Sequence, residues 1–138
     1  MQAPLASFVR QRFVWLAPTD SLRQAESTMR MARLRAVPVV GDGELLGMLS
    51  YWAVASCWLG CGEAPAPRAG GDAAQVASLM DTKPVAISAG LPLETAVAHL
   101  LRSGDGCVPV VDADGKRLLG VVTEADLLRA LLASPFRD

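Results

Sequence analysis

Apolar and polar positions along this chain fall into short blocks that predict alternating strands and helices. Residues Leu5 to Arg12 read as a brief lead-in of about one helical turn. Phe13-Val14-Trp15-Leu16 is apolar, β-prone and short, which suits a first strand. Pro18-Thr19-Asp20-Ser21 stops that strand and opens a helix, with Ser21 and Gln24 spaced as a capping box. Leu22, Ala25, Met29 and Ala32 then recur at helical spacing and define one apolar face. Ala36 to Val40 and Leu45 to Ser50 form a hairpin turned by Gly41-Asp42-Gly43. Tyr51 to Leu59 follows as a helix that carries Trp52 and Trp58 and is apolar on more than one side.

The middle of the chain breaks this pattern. Gly60 to Asp72 holds four glycines, two prolines and three alanines, the composition of a linker. Ala73 to Met80 reads as a short helix and Pro84 to Ser88 as a strand. Pro92 suits the first position of the next helix, whose core face is Leu93, Ala96, Val97, Leu100 and Leu101. Ser103-Gly104-Asp105-Gly106 ends that helix. A second hairpin and a helix from Glu124 to Ala133 complete the set.

The second set of elements repeats the first. Ala36-Val37-Pro38-Val39-Val40 returns 71 positions later as Cys107-Val108-Pro109-Val110-Val111. The same shift maps Ser7 on Ser78, Val14 on Val85, Leu22 on Leu93 and Ala25 on Ala96. Beyond the longer second turn the shift becomes 73, so that Leu45-Leu46-Gly47 matches Leu118-Leu119-Gly120. Ser50 then aligns with Thr123, and Ala53 with Asp126.

The repeated order of a V-P-V-V strand, a D-G turn and G-x-x-[ST]-x-x-D resembles the cystathionine β-synthase (CBS) domain. The resemblance covers about residues 7–59 and 76–133 and implies a tandem pair, or Bateman module. The fold it implies is α+β: two β-α-β-β-α repeats packed about a pseudo-twofold axis. On this reading residues 1–59 are the first repeat, 60–72 the linker and 73–138 the second repeat. Each repeat alone has a marginal core, so the two are expected to pack together.

Gly120-Val121-Val122-Thr123-Glu124-Ala125-Asp126 is the stretch with the clearest chemistry. A hydroxyl and a carboxylate three residues apart at a helix start project to one side. The pair reads as a helix cap, with Thr123 at N-cap and Asp126 at N3. It also reads as a site in which the carboxylate accepts ribose hydroxyls while the hydroxyl and first-turn N–H groups meet a phosphate. The resemblance implies two clefts between the repeats. One would use Val122, Thr123 and Asp126, with Arg12, Phe13 and Val14 from the first copy and Cys107, Val108 and Pro109 around a base. The other would use Arg35 and Ser50, with Lys83, Pro84 and Val85 as its wall.

Ala53 stands where this second cleft needs its carboxylate. Losing two hydrogen bonds to a charged acceptor costs about 3 kcal/mol or more, over a hundredfold in affinity. That cleft is expected to be weak or empty. Just before the second V-P-V-V strand stand Gly106 and Cys107, where the first copy has Arg35. The cation for a phosphate must then come from Arg12, Lys116 or a dimer partner.

Composition bounds the remaining possibilities. The chain has 138 residues, 51% hydrophobic and 20% charged, with a mean hydropathy of +0.31. No apolar run approaches the ~18–20 residues of a membrane helix, and the N-terminus lacks a signal-peptide pattern. A soluble cytoplasmic protein is expected. A net charge of −1 argues against nucleic acid. Between Ser7 and Arg35, however, six arginines (Arg10, Arg12, Arg23, Arg30, Arg33 and Arg35) stand against only Asp20 and Glu26, an excess that could attract an anionic ligand or, for Arg23 and Arg30 above all, form a solvated helix face. Cys57 and Cys61 share no C-x-x-C pair, and His99 is the sole histidine, so no metal site is expected. Cys107 lies in an apolar strand as a core residue, and His99 falls beside a helix face as a partly exposed one.

No catalytic set emerges: there is no Ser-His-Asp arrangement, no converging carboxylate pair and no phosphate loop. The expectation is a stand-alone regulatory module without a required cofactor. Its ligand would be adenosyl (AMP, ADP, ATP or S-adenosylmethionine), as in energy sensing, and would alter conformation or affinity for an unidentified effector protein. The alternative is a ligand-free structural or dimerisation module. Both versions predict a homodimer through the repeat helices, because the Tyr51–Leu59 helix has more apolar surface than a monomer buries.

Overall fold

The computed structural model describes residue 5 and residues 9–59 and 74–132. The linker expected at Gly60 to Asp72, with Cys61, lies outside the described residues, as do Ser7 and Ala133. The elements run α1 (Leu22–Ala32), β1 (Ala36–Gly41), β2 (Glu44–Ser50), α2 (Tyr51–Leu59), β3 (Ile87–Ser88), α3 (Leu93–Ser103), β4 (Cys107–Val111), β5 (Leu118–Thr123) and α4 (Glu124–Leu132). The class is mixed α+β, with two similar repeats. Among the described residues no helix is long and apolar enough to cross a membrane.

The chain divides into two compact units, and their limits differ from those of the sequence repeats. One unit is Val14–Pro84; the other joins Met1–Phe13 to Val85–Asp138. Each hairpin thus receives the lead-in of the opposite repeat. In the first unit Met48 and Asp81 exchange backbone hydrogen bonds of 3.0 and 2.8 Å. In the second, Arg10 and Val121 do the same at 2.7 and 3.2 Å. The repeat shifts relate these bridges, Arg10 to Asp81 and Met48 to Val121.

The motif glycines permit this approach. A Cβ on Gly120 would meet the Arg10 carbonyl oxygen at 2.5 Å, and would also collide with Val9. One on Gly47 would meet the Asp81 carbonyl at 2.6 Å and Met80 Sδ at 3.0 Å. Backbone cannot yield as a side chain tip does, so both positions require glycine.

Each unit has its own core. In the first, Leu16, Ala25, Met29, Val37, Val39, Leu49, Val54 and Val76 cluster. In the second, Leu5, Ile87, Ala96, Leu100, Val108, Val110 and Val122 do so. β1 pairs antiparallel with β2, and β4 with β5, while β3 lies parallel to β4.

The strand expected at Phe13–Leu16 is only a single bridge, Leu16 to Val39. The pairing stops at Leu16, whereas its counterpart in the second unit runs over Ile87–Ser88. Ala89 donates its N–H to Val111 in the second unit at 3.1 Å, but the counterpart of Ala89 is Pro18, which has no N–H to give. The helix expected at Ala73–Met80 is a single 3-10 turn, Val76–Ser78.

The Ser21–Gln24 capping box is formed in both directions. Pro92 is the N-cap of α3, with extended backbone, so the first helical residue is Leu93. Ala32 is exposed at the end of α1, and Leu101 is 81% exposed, so neither joins the core face expected of it. Leu101 stands about 100° round α3 from its buried neighbour Leu100.

Candidate functional site

Strand β5 delivers Thr123 to the start of α4, and Asp126 follows three residues later. The cap reading is realised: the Thr123 N–H donates to Asp126 Oδ2 at 2.9 Å, and the Asp126 N–H donates to Thr123 Oγ1 at 3.3 Å. The Thr123 hydroxyl also donates to Oδ2 at 2.9 Å. The other carboxylate oxygen is shared by two cations. Arg10 Nη2 lies 2.7 Å from Oδ1, and Arg129 Nη1 lies 2.8 Å from it.

Asp126 is the one buried charged residue among those described, only 7% exposed. Burial pushes its carboxyl pKa upward. Hydrogen bonds from Arg10 and from the Thr123 N–H and hydroxyl, with the Arg10 charge, outweigh that and lower it overall. The same hydrogen bond and charge raise the pKa of Arg10 against its own desolvation.

Cys107 pairs across the ladder with Thr123, which sets the two side chains on one face of the hairpin. Its thiol is buried, and burial, helped by Asp105 and Asp126, pushes its pKa up to about 12. It is therefore a protonated wall residue. Val108 and Pro109 are buried beside it in β4, opposite Val122 and Val121.

Of the residues expected at this site, Arg12, Phe13, Cys107, Val108, Pro109, Val122, Thr123 and Asp126 belong to one compact unit, and Val14 to the other. The hydrogen bonds, ion pairs and strand pairing join Thr123, Asp126 and Cys107, with Arg10 added. Arg12 lies in a bend, exposed, and makes no ion pair among the described residues. Lys116 sits at the hairpin turn, seven residues from Thr123. At ~3.3 Å per residue that is about 20 Å away, too far for a phosphate at Thr123.

The cation on Asp126 is Arg10, which the sequence offered only as part of a basic stretch. Arg129, one turn along α4, was legible as an i,i+3 partner. Arg10 carried no such signal, because its position depends on the backbone bridge to Val121.

The corresponding group in the other unit is half built. Ser50 accepts the Ala53 N–H at 3.0 Å, and Ala53 has nothing to return. Tyr51 donates its N–H to the Arg35 carbonyl at 2.6 Å, as Glu124 does to Gly106 at 3.2 Å. Asp81 occupies the place of Arg10. Arg35, Ser50, Lys83 and Pro84 share this unit, whereas Val85 belongs to the other. Among the described residues no group of three His, Cys, Asp or Glu side chains is placed to hold a metal.

No curated protein sequence matches the chain. Solved structures do. CBSX2 from Arabidopsis thaliana is 25% identical with a TM-score of 0.79, covering 96% of each chain. CBSX2 in complex with AMP is 26% identical with a TM-score of 0.75, covering 94% of this chain and 96% of that one. Protein MJ1225 from Methanocaldococcus jannaschii is 21% identical with a TM-score of 0.79; the match covers 94% of this chain but 50% of that one, so the chain spans about half its length. The CBS pair of MJ0100, in complex with 5′-methylthioadenosine and S-adenosyl-L-methionine, is 18% identical with a TM-score of 0.72, covering 95% and 97%. The CBS domain family model matches residues 5–59 and 76–133, and the chain belongs to that family, with two copies of the domain.

Proposed function

We propose that this CBS pair is a non-catalytic regulatory module that binds an adenosyl ligand through Asp126 and Thr123, with Val122, Cys107, Val108 and Pro109 beside the base and Arg12 and Phe13 at its margin. The observation that carries this reading is a charged carboxylate held almost fully buried at a strand-to-helix junction. A buried charge is costly and seldom kept for stability alone. The AMP complex of CBSX2, at 26% identity, makes AMP the leading candidate. ADP, ATP and S-adenosylmethionine are the others. Binding would bias one of two conformations and so the affinity for an effector protein.

The test is thermal unfolding with millimolar AMP, ADP, ATP, S-adenosylmethionine and NAD, on wild type and Asp126→Ala. Ligand at 100 times its dissociation constant adds about 2.7 kcal/mol, an upward shift of several degrees. The shift should appear for at least one adenosyl compound and vanish in the variant. No shift for any compound would refute the reading.

The second reading, a ligand-free interaction module, is favoured by α2. Only Val54 and Cys57 of this helix are buried, while Trp52 is 78% and Leu59 75% exposed. Tyr51, Val54, Ala55, Trp58 and Leu59 line a groove of about 310 Å³ with Glu26. Homodimerisation through the helices fits this surface, and sedimentation of wild type against Trp52→Ala tests it. The variant should shift toward monomer; unchanged sedimentation would count against this face.

A further inference from the structure

We infer that Arg10 is an exchangeable counter-ion that restricts the Asp126 site to anionic ligands. The inference rests on the reading of Asp126 as a ribose acceptor. A carboxylate offers about four lone-pair positions, and here all four are used. Thr123 fills two on Oδ2, and Arg10 and Arg129 fill two on Oδ1. A ribose diol can reach this carboxylate only by displacing a donor.

The donors differ in what displacement costs them. The Thr123 N–H belongs to the cap, and losing its acceptor would leave a backbone group unsatisfied. The Arg10 and Arg129 side chains are 42% and 64% exposed, so water takes their charges readily. Oδ1 is therefore the side that opens.

Arg129 is local, one turn away on the same helix. Arg10 comes from 116 residues away, and its backbone is fixed to Val121 by two hydrogen bonds. Its guanidinium can swing while its root stays in place. After displacement by a diol, Arg10 stays beside the ligand without its counter-charge. Arg10 and Arg129 share the one Asp126 oxygen. A phosphate attached to the same ribose restores the lost pairing, and a neutral nucleoside does not. Arg10 thus passes from protein carboxylate to ligand phosphate as the ribose takes its place.

The test compares AMP with adenosine by titration calorimetry on wild type, Arg10→Ala and Arg10→Lys, with circular dichroism to verify folding. Wild type should bind AMP at least tenfold more tightly than adenosine. Arg10→Ala should weaken AMP about tenfold and tighten adenosine several-fold, because the latch is gone. Arg10→Lys should keep most of the preference for AMP. A merely structural role would weaken both ligands together, and that result, or no change in either, overturns the exchange while leaving the ribose reading intact. If wild type binds neither compound, the exchange is overturned, and the ribose reading is decided by the thermal shifts with ADP, ATP and S-adenosylmethionine.

Discussion

The two units share one backbone plan and differ in the side chains they set on it. Both place a V-P-V-V strand against a glycine-bearing strand, and both accept the lead-in of the opposite repeat at that glycine. In one unit the helix start carries Asp126, the lead-in carries Arg10, and the strand carries Cys107. In the other the same places hold Ala53, Asp81 and Ala36. Exchanging aspartate for alanine removes the acceptor, and exchanging arginine for aspartate reverses the charge that would draw an anion. Both units have the architecture, and only one has the carboxylate with its two arginines.

The strongest test of the shared plan is Gly120→Ala beside Gly47→Ala. Each added methyl would press on a backbone carbonyl, and overpacking of this kind costs about 1–3 kcal/mol or more. Chemical denaturation should show comparable losses in the two variants. A loss in only one would break the equivalence of the units.

The pH dependence separates the units next. A carboxyl whose pKa is lowered in the folded state adds stability above its unfolded value, ordinarily 3.8, and loses it as pH falls through the folded value. Arg10 shifts upward from its ordinary value, through its hydrogen bond to Asp126, and stays charged throughout this range. Wild type should therefore be more stable than Asp126→Asn by about 1–2 kcal/mol at neutral pH, with the difference shrinking below about pH 4. Unfolding curves from pH 7 to pH 2 measure it, and a constant difference would contradict the ion pair.

A smaller effect rebuilds the missing charges. Ala53→Asp alone should cost about 1 kcal/mol in chemical denaturation, because position 53 packs against the first core and Asp81 is a like charge, and adding Asp81→Arg should recover about 0.5–1 kcal/mol of coupling. The smallest concerns Cys107, which burial and neighbouring carboxylates hold protonated. Peptide-resolved alkylation at pH 8 should leave it unmodified in the native protein and label it on unfolding. Rapid native labelling would show the thiol to be exposed.

Much of this was legible in the sequence because it is local. The capping box at Ser21, the hairpin turn at Gly41–Gly43 and the junction at Thr123–Asp126 each depend on residues within four positions of one another. The loss of Ala53 was equally plain once the repeats were aligned. What was not legible depends on the exchange of lead-ins between units. The role of Gly120 follows from the Arg10 backbone crossing it, and Arg10 reaches Asp126 only because that crossing fixes its root. Arg12, two positions on, looked equivalent by charge and lies in a bend instead. The first strand does not extend past Leu16 because Pro18 has no N–H for the neighbouring strand, which lies elsewhere in the chain.

The most direct measurement of the central claim is the stoichiometry of AMP binding by calorimetry to wild type, Asp126→Ala and Ser50→Ala. The account predicts a single equivalent per chain, abolished by Asp126→Ala and unaffected by Ser50→Ala. Binding that survives Asp126→Ala, or that is lost with Ser50→Ala, would place the ligand in the wrong unit and contradict it.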